Sequence, residues 1–147
     1  MANVQGAEAL VRAANAAFYE AFETGDLDAM AEVWEHSDRV SVTHPGWPTL
    51  RGWPRVAGSW DAIFGGTNFI QFLLAEEELT ISGDLAWVTL EENILQSVGS
   101  REGGEDLAEI QSARIAAVNL FAFDGSRWKL VVHHGSPIAG DPEIGPE

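Results

Sequence analysis

The chain has 147 residues with 23 acidic and 8 basic side chains, which gives a formal net charge of −15. A surface this negative repels phosphate backbones and anionic lipids, so neither nucleic acid nor a membrane is an expected partner. The sequence contains no cysteine, no N-terminal basic and apolar leader, and no apolar run near the roughly 20 residues that cross a bilayer. We therefore expect one soluble, cytoplasmic domain over residues 1–140, with a disordered tail at 141–147.

The N-terminal third has the period of amphipathic helices, with apolar residues at three- and four-residue steps. Gly25 predicts the end of a first helix, and Asp26 is a suitable N-cap for a second. Pro54 fits the first turn of a third. The predicted helices span Gly6–Glu23, Leu27–Glu35 and Pro54–Phe64.

After Gly65-Gly66 the pattern changes to the two-residue period of strands rich in valine, isoleucine, phenylalanine and threonine. Turn residues separate four long segments, at Thr67–Ser82, Leu85–Val98, Ile110–Phe123 and Arg127–Ser136. Helices followed by a meander of antiparallel strands predict an α+β fold, with three N-terminal helices packed on one face of a strongly curved sheet.

His44 is the first candidate for a functional residue, because it follows the β-branched pair Val42-Thr43 and precedes Pro45. A proline ends a strand and keeps the residue before it extended, so His44 is expected at a strand end, where pockets are commonly lined. Its imidazole could act as a general base or acid, or bind a polar ligand group. It could instead satisfy a loop carbonyl, but the expected pocket mouth at this strand end favours the role in the pocket.

The last predicted strand also ends in histidines, His133 and His134. Alternation along an uninterrupted strand places Trp128 and His134 on one side, and Lys129 and His133 on the other. A lysine is expected on the solvent-exposed or interfacial face, so the side with Lys129 is predicted to face away from the pocket. We therefore predict that His134 faces the pocket, or is a buried histidine bonded to the backbone, and that His133 faces a dimer surface or a loop. Adjacent strand residues cannot bind one metal ion from the same face, and no metal site or cofactor is predicted.

The order of these elements, with Gly25-Asp26, His44-Pro45-Gly46-Trp47 and the closing Trp128…His133-His134…Ser136-Pro137, resembles the nuclear transport factor 2 (NTF2) superfamily, and within it bacterial SnoaL-like proteins of mostly unassigned function. The closing motif also resembles the association domain of calcium/calmodulin-dependent kinase II. The resemblance covers roughly residues 7 to 139. It implies a cone-shaped fold around an apolar pocket that binds a small organic ligand, and a homodimer formed through the outer face of the sheet.

Ketosteroid isomerase belongs to the same superfamily, and the resemblance allows its catalytic positions to be compared with this chain. His44 occupies the place of its general base, an aspartate that precedes a proline. Phe18 occupies the place of its phenolic oxyanion donor, and the only tyrosine, Tyr19, is rotated by about 100° around the helix. An oxyanion hole without its hydroxyl cannot stabilise an enolate in the same way, so steroid isomerisation is not expected.

Further candidates for ligand binding are polar or aromatic residues near the expected cavity. Asn119 lies where SnoaL-like sequences often have a Thr-Asn pair, although here the threonine is missing. Arg114 could bind a ligand carboxylate or form a cross-strand pair with Glu91 or Glu92. Aromatic residues predicted at the cavity wall or beside His44 are Trp47, Trp60 and Trp128.

Two functions remain open from the sequence. One is an enzyme, such as a lyase, an isomerase or a hydrolase-like protein, that acts on an uncharged or weakly acidic organic compound. The other is a non-catalytic ligand-binding or oligomerisation module, similar to a kinase association domain. Convergence of His44 and His134 on a common point within about 3 to 6 Å would favour the enzyme, and divergent histidines would favour the module.

Overall fold

The structure, a computed structural model, describes residues 4–98 and 109–139. The helices are α1 (Val4–Thr24), α2 (Leu27–Val33) and α3 (Trp53–Gly66). The strands are β1 (Ser41–Thr43), β2 (Leu50–Arg51), β3 (Thr67–Ser82), β4 (Leu85–Val98), β5 (Glu109–Phe123) and β6 (Trp128–Pro137). The predicted α+β class is confirmed, and the tail predicted at 141–147 lies outside the described residues. No helix within the described ranges is long and apolar enough to span a bilayer.

The turn between α1 and α2 forms as its sequence predicts. Gly25 adopts the left-handed region with φ +64°, which favours glycine because it has no Cβ. The Asp26 N–H donates back to the Ala21 carbonyl at 3.1 Å, as in a Schellman motif. The Asp26 carboxylate then accepts from the Ala29 N–H at 3.0 Å and caps α2.

The six strands form one sheet in the order β2-β1-β6-β5-β4-β3. All neighbouring strands are antiparallel except β1 and β6, which are parallel. Thr43 at the end of β1 pairs with His134 of β6. This parallel pairing brings the strand end that carries His44 beside the histidines of β6, although the two segments are far apart in the sequence.

Irregular pairing interrupts two strands and helps the long sheet to curve. In the edge strand β3, the register shifts between Ala75 and Glu78, where Glu76 has φ +55°. In β6, Phe121 pairs with Leu130 whereas Leu120 pairs with Val132. One residue of β6, Val131, is therefore extra, and every later side chain of this strand changes face.

The helices cover one face of the sheet with aromatic side chains. Phe18 from α1 and Trp60 from α3 are fully buried, and their ring centroids are 5.6 Å apart. The opposite face is uncovered in this single chain. It exposes Leu73 (62%), Leu95 (39%) and Val118 (38%), which alternate along their strands with buried residues.

Candidate functional site

His44 lies where the sequence predicts it, immediately after β1 and before Pro45. The chain turns there, because the Trp47 N–H donates to the His44 carbonyl at 2.8 Å and Gly46 has φ +85°. The imidazole points inward and is 3% exposed. The strand end and the turn together fix the backbone of this residue.

Helix α3 holds the imidazole in one tautomer. His44 Nε2 lies 2.9 Å from Ser59 Oγ, and the Ser59 hydroxyl lies 2.7 Å from the Val56 carbonyl oxygen. A carbonyl only accepts, so the single hydroxyl hydrogen of Ser59 goes to Val56, and His44 Nε2–H donates to Ser59. His44 Nδ1 is then an acceptor, and it has no hydrogen-bond partner within residues 4–98 and 109–139.

A pocket of about 480 Å³ opens beside His44. Its walls are mostly apolar side chains of α1, α3, β3, β4 and β5, including Phe22, Ile63, Ile70, Ile94 and Ile115. Among the described residues that line it, Thr67 and Gln96 are the other polar side chains, and His44 is the one titratable group. The volume is in the range of small-molecule sites.

Burial sets the charge of His44. Desolvation lowers the pKa of His44 from its ordinary value of 6.5 to about 4, because the charged form loses its hydration. The imidazole is therefore neutral at neutral pH and has a lone pair available on Nδ1.

Within the described ranges, no group of three histidine, aspartate or glutamate side chains is arranged to hold a metal ion.

The predicted faces of the two histidines in β6 are reversed. His133 is 2% exposed and its ring centroid lies 6.4 Å from that of His44, whereas His134 is exposed on the outer face. The prediction assumed strict alternation from Trp128 onward. The extra residue Val131 shifts the later side chains by one position, so His133 replaces His134 in the interior.

A buried chain of hydrogen bonds lies deeper in the cone than the pocket. His133 Nδ1 donates to Asn119 Oδ1 at 2.6 Å, and Asn119 Nδ2 donates to Asn15 Oδ1 at 2.9 Å and to Tyr19 Oη at 3.1 Å. The Tyr19 hydroxyl donates to Glu92 Oε2 at 2.6 Å. We call these five residues the buried polar chain. In this arrangement every contact pairs a donor with an acceptor.

Burial also shifts the pKa values within this chain. Desolvation raises the pKa of Glu92 to about 7, although the Tyr19 hydrogen bond opposes the shift. Desolvation, with the neighbouring Glu92 carboxylate, raises the pKa of Tyr19 well above its usual value. Desolvation lowers the pKa of His133 to about 3. The histidine and the tyrosine are therefore neutral at pH 7, and Glu92 is half ionised near that pH.

Four interior polar residues were not predicted as site residues from the sequence: Asn15, Ser59, Glu92 and His133. Glu92 was considered only as a partner of Arg114, yet it occupies an inward position of β4 between the buried Leu90 and Ile94. A carboxylate within an otherwise apolar alternation was the available signal. For His133 no local signal existed, because the bulge before it depends on how β6 pairs with β5.

The remaining candidates occupy four different environments. Trp47 lines the pocket and is 40% exposed. Phe18 and Trp60 are core residues in contact with one or both inner histidines, and Tyr19 and Asn119 belong to the buried polar chain. Trp128 packs on Phe123 and lines a separate surface groove with α1 and α2. Of the nine predicted residues, the structure thus places His44 and Trp47 at the pocket itself.

Arg114 takes the second of the two roles left open for it. Its guanidinium lies 2.9 Å and 3.3 Å from the two carboxylate oxygens of Glu91, across the β4–β5 pair. Both residues are on the face of the sheet that the helices leave uncovered, since the next residues, Glu92 and Ile115, are buried inside. Arg114 is therefore remote from the His44 pocket.

Comparison with known proteins identifies the family. The SnoaL-like domain matches residues 11–140, which is most of the sequence. The chain belongs to the SnoaL-like domain family. The predicted resemblance to SnoaL-like proteins is thereby confirmed.

Two solved structures are similar in sequence as well as in fold. A proposed dehydratase of the NTF2-like family from Streptomyces avermitilis is 35% identical, with a TM-score of 0.81 over 89% of this chain and 96% of that one. A proposed calcium/calmodulin-dependent protein kinase type II association domain from Thiobacillus denitrificans is 29% identical, with a TM-score of 0.71 over 87% of this chain and 94% of that one. Each stands for one of the two functions that the sequence left open.

A curated protein, the F-box protein SKIP8 of Arabidopsis thaliana, is 28% identical over 129 residues, which is 88% of this chain. The chain spans 50% of the length of that relative. The similarity therefore concerns one part of the plant protein.

Proposed function

We propose that this SnoaL-like protein is an acid–base enzyme of the lyase or isomerase type, acting on an uncharged or weakly acidic organic compound in the His44 pocket. The observation that carries the proposal is His44 itself. It is a neutral imidazole with Nε2–H fixed by Ser59, and its Nδ1 is unpaired among the described residues. A fixed proton acceptor at an apolar pocket is the arrangement that general-base catalysis requires.

The pocket favours uncharged compounds over anions. None of the described residues that line it is a lysine or an arginine, and the protein has a formal net charge of −15. A carboxylate or phosphate would lose its hydration there without gaining a cationic partner. The 35% identity to a proposed dehydratase supports a reaction in which a proton is removed from carbon or oxygen.

The low pKa of His44 gives the proposal a further condition. A base with a pKa near 4 is fully available at pH 7 but holds a proton weakly. Negative charge that develops on the substrate during proton removal would stabilise the imidazolium beside it. An enolate or a leaving hydroxide supplies that charge, and a saturated hydrocarbon does not.

The test begins with melting shifts against a library of uncharged and weakly acidic metabolites, followed by turnover assays on the compounds that bind. His44→Ala should lower kcat by about 10²- to 10⁴-fold, the usual contribution of a positioned acid–base group. His36→Ala, which removes an exposed histidine stacked on Trp53, is the matched control and should retain activity. Turnover that survives in His44→Ala would reject the base assignment.

The second candidate function is a non-catalytic ligand-binding or oligomerisation module. Two observations favour it: His44 and His134 do not converge, and the kinase association domain is 29% identical. In that case His44→Ala should weaken ligand affinity by only about 1 to 3 kcal/mol, the cost of one buried hydrogen bond. No conversion of the ligand would then be detected in either protein.

The outer face of the sheet supports a homodimer as the assembled form. Leu73, Leu95 and Val118 are exposed there, and a second copy would bury them. Light scattering at micromolar concentration should give the mass of two chains. Val118→Lys, which places a charge in the middle of this face, should shift the mass toward one chain, and a wild-type monomer would contradict the proposal.

A further inference from the structure

The indole of Trp60 carries an unsatisfied donor at the centre of the core. Trp60 is fully buried, and its Nε1–H has no hydrogen-bond partner in the part of the chain that the structure describes. Buried N–H groups of native proteins are almost always paired with protein or ordered water. An acceptor for this donor is therefore expected from outside the described residues.

Two imidazole rings pack against this indole. The ring centroid of Trp60 lies 4.7 Å from that of His44 and 6.2 Å from that of His133, and the two imidazoles are 6.4 Å apart. The three rings thus pack against one another in one region of the core. Phe18 packs on two of the same rings, with centroids 5.6 Å from Trp60 and 4.8 Å from His133.

The tautomers fixed by the surrounding hydrogen bonds determine what this region offers. His44 gives its Nε2–H to Ser59, which leaves Nδ1 as an acceptor. His133 gives its Nδ1–H to Asn119, which leaves Nε2 as an acceptor. Neither acceptor has a partner among residues 4–98 and 109–139, so the three rings combine one unmatched donor with two unmatched acceptors.

We propose that the oxygen of a neutral hydroxyl group, from water or from a ligand alcohol, binds among Trp60, His44 and His133. Such an oxygen accepts the indole N–H and donates its hydrogen to an imidazole nitrogen, so it matches donor with acceptor without adding charge. An ion does not fit, because the three rings themselves are neutral and supply no charge to balance it.

This site goes beyond the proposed function, since the oxygen binds whether or not His44 transfers a proton. Its catalytic meaning does rest on the proposed function. A water held against the acid–base histidine is the reactant or the product when water is added to, or eliminated from, a substrate. If the protein proves to be inactive, the proposed oxygen site is not contradicted. If no oxygen binds among the three rings, His44 can still act as the base.

The first test is a high-resolution crystal structure together with nitrogen NMR of histidine-labelled protein. We expect an ordered oxygen within hydrogen-bond distance of Trp60 Nε1 and of at least one imidazole nitrogen. NMR should report His44 as the Nε2–H tautomer and His133 as the Nδ1–H tautomer. An empty region, or His133 in the Nε2–H tautomer, would overturn the proposal.

The second test compares two tryptophan variants. Trp60→Phe removes the donor and keeps an aromatic ring, so the oxygen should disappear from the structure. Trp34→Phe is the matched control, because Trp34 is 1% exposed, its indole is also unpaired among the described residues, and its ring contacts are Trp53 and Trp60. An oxygen that persists in Trp60→Phe would exclude the indole as its ligand. Should Trp60→Phe fail to fold, the wild-type NMR and crystal structure still decide.

The third test separates the two sources of the hydroxyl. Crystals are soaked with cyclohexanol, and with methylcyclohexane as a probe of the same shape without a hydroxyl. Cyclohexanol oxygen in place of the water would assign the site to a ligand alcohol, and water that remains in both soaks would assign it to a bound water. Either result supports the proposal, and the absence of any oxygen in all three structures overturns it.

Discussion

The His44 pocket and the buried polar chain lie on the same face of one sheet, and both contain polar groups within an aromatic core. They differ in how those groups are paired. Each hydrogen-bonding contact of the buried polar chain joins α1 to β4 or β5, or β5 to β6. At the pocket, one side of the His44 ring is held by Ser59 and Nδ1 is unpaired among the described residues.

This difference separates stability from chemistry within one core. A paired polar network specifies how a helix sits on a sheet, because moving any member leaves its partners buried and unsatisfied. An unpaired acceptor beside a cavity adds little to stability and remains available to a ligand. Variants in the two regions test that separation.

The largest expected effect is the loss of stability in acid. His44 and His133 are neutral in the folded protein, and their pKa values fall from 6.5 to about 4 and about 3. The unfolded chain therefore takes up the protons first, and stability falls as the pH drops from 6.5 toward these lower values. Each histidine should contribute about 3 to 5 kcal/mol to the loss.

Urea unfolding from pH 7.5 to pH 4 at a fixed protein concentration measures this slope. His44→Gln and His133→Gln should each reduce the slope of the free energy of unfolding against pH by the equivalent of roughly one proton. A slope unchanged in both variants would show that neither histidine is buried in the neutral form.

The second effect concerns the centre of the buried polar chain. Asn119→Ala should lower the free energy of unfolding by about 3 to 4 kcal/mol, because Asn15, Tyr19 and His133 each lose a partner. Asn93→Ala is the matched control, since Asn93 makes one hydrogen bond, to the Leu73 carbonyl, on the outer face. Equal losses in the two variants would mean that the chain does not hold α1 on the sheet.

The third effect has the opposite dependence on pH. The pKa of Glu92 is raised from 4.5 to about 7, so the folded protein holds this proton more tightly than the unfolded chain. Its contribution is complete below pH 4.5 and is lost as the pH rises through 7, which amounts to about 3 kcal/mol. Glu92→Gln, which can still accept from Tyr19, should be more stable than the wild type at pH 8. The same pH profile in both proteins would contradict an ionisable Glu92 in the core.

The smallest effect belongs to the pocket. Ser59→Ala removes the acceptor for His44 Nε2–H and should cost about 1 to 2 kcal/mol. Ser59→Ala should lower turnover by more than the loss of stability alone would predict, because the His44 ring is no longer held in one tautomer. Nitrogen NMR of His44 would show both tautomers in Ser59→Ala. A single Nε2–H tautomer there would show that Ser59 is not what orients the ring.

Prediction from the sequence succeeded where one local feature decides the structure. Gly25 and Asp26 set the α1–α2 turn by their own conformational and capping preferences, and Pro45 ends the strand before it. His44 was placed correctly for that reason. His133 was misplaced because the bulge in β6 depends on its register with β5, which is a property of two strands and not of one.

The element types, the strand end at His44 and the family could be predicted from the sequence alone, because period, turn residues and motif order are local. The contacts between buried polar side chains could not, since they form only in the folded chain. Asn15 and Asn119 are 104 residues apart, and Tyr19 and Glu92 are 73 residues apart, yet each pair forms a buried hydrogen bond. Such pairs depend on how α1 lies across β4 and β5. The protonation states of Tyr19 and Glu92 follow from burial, which no single segment of the sequence records.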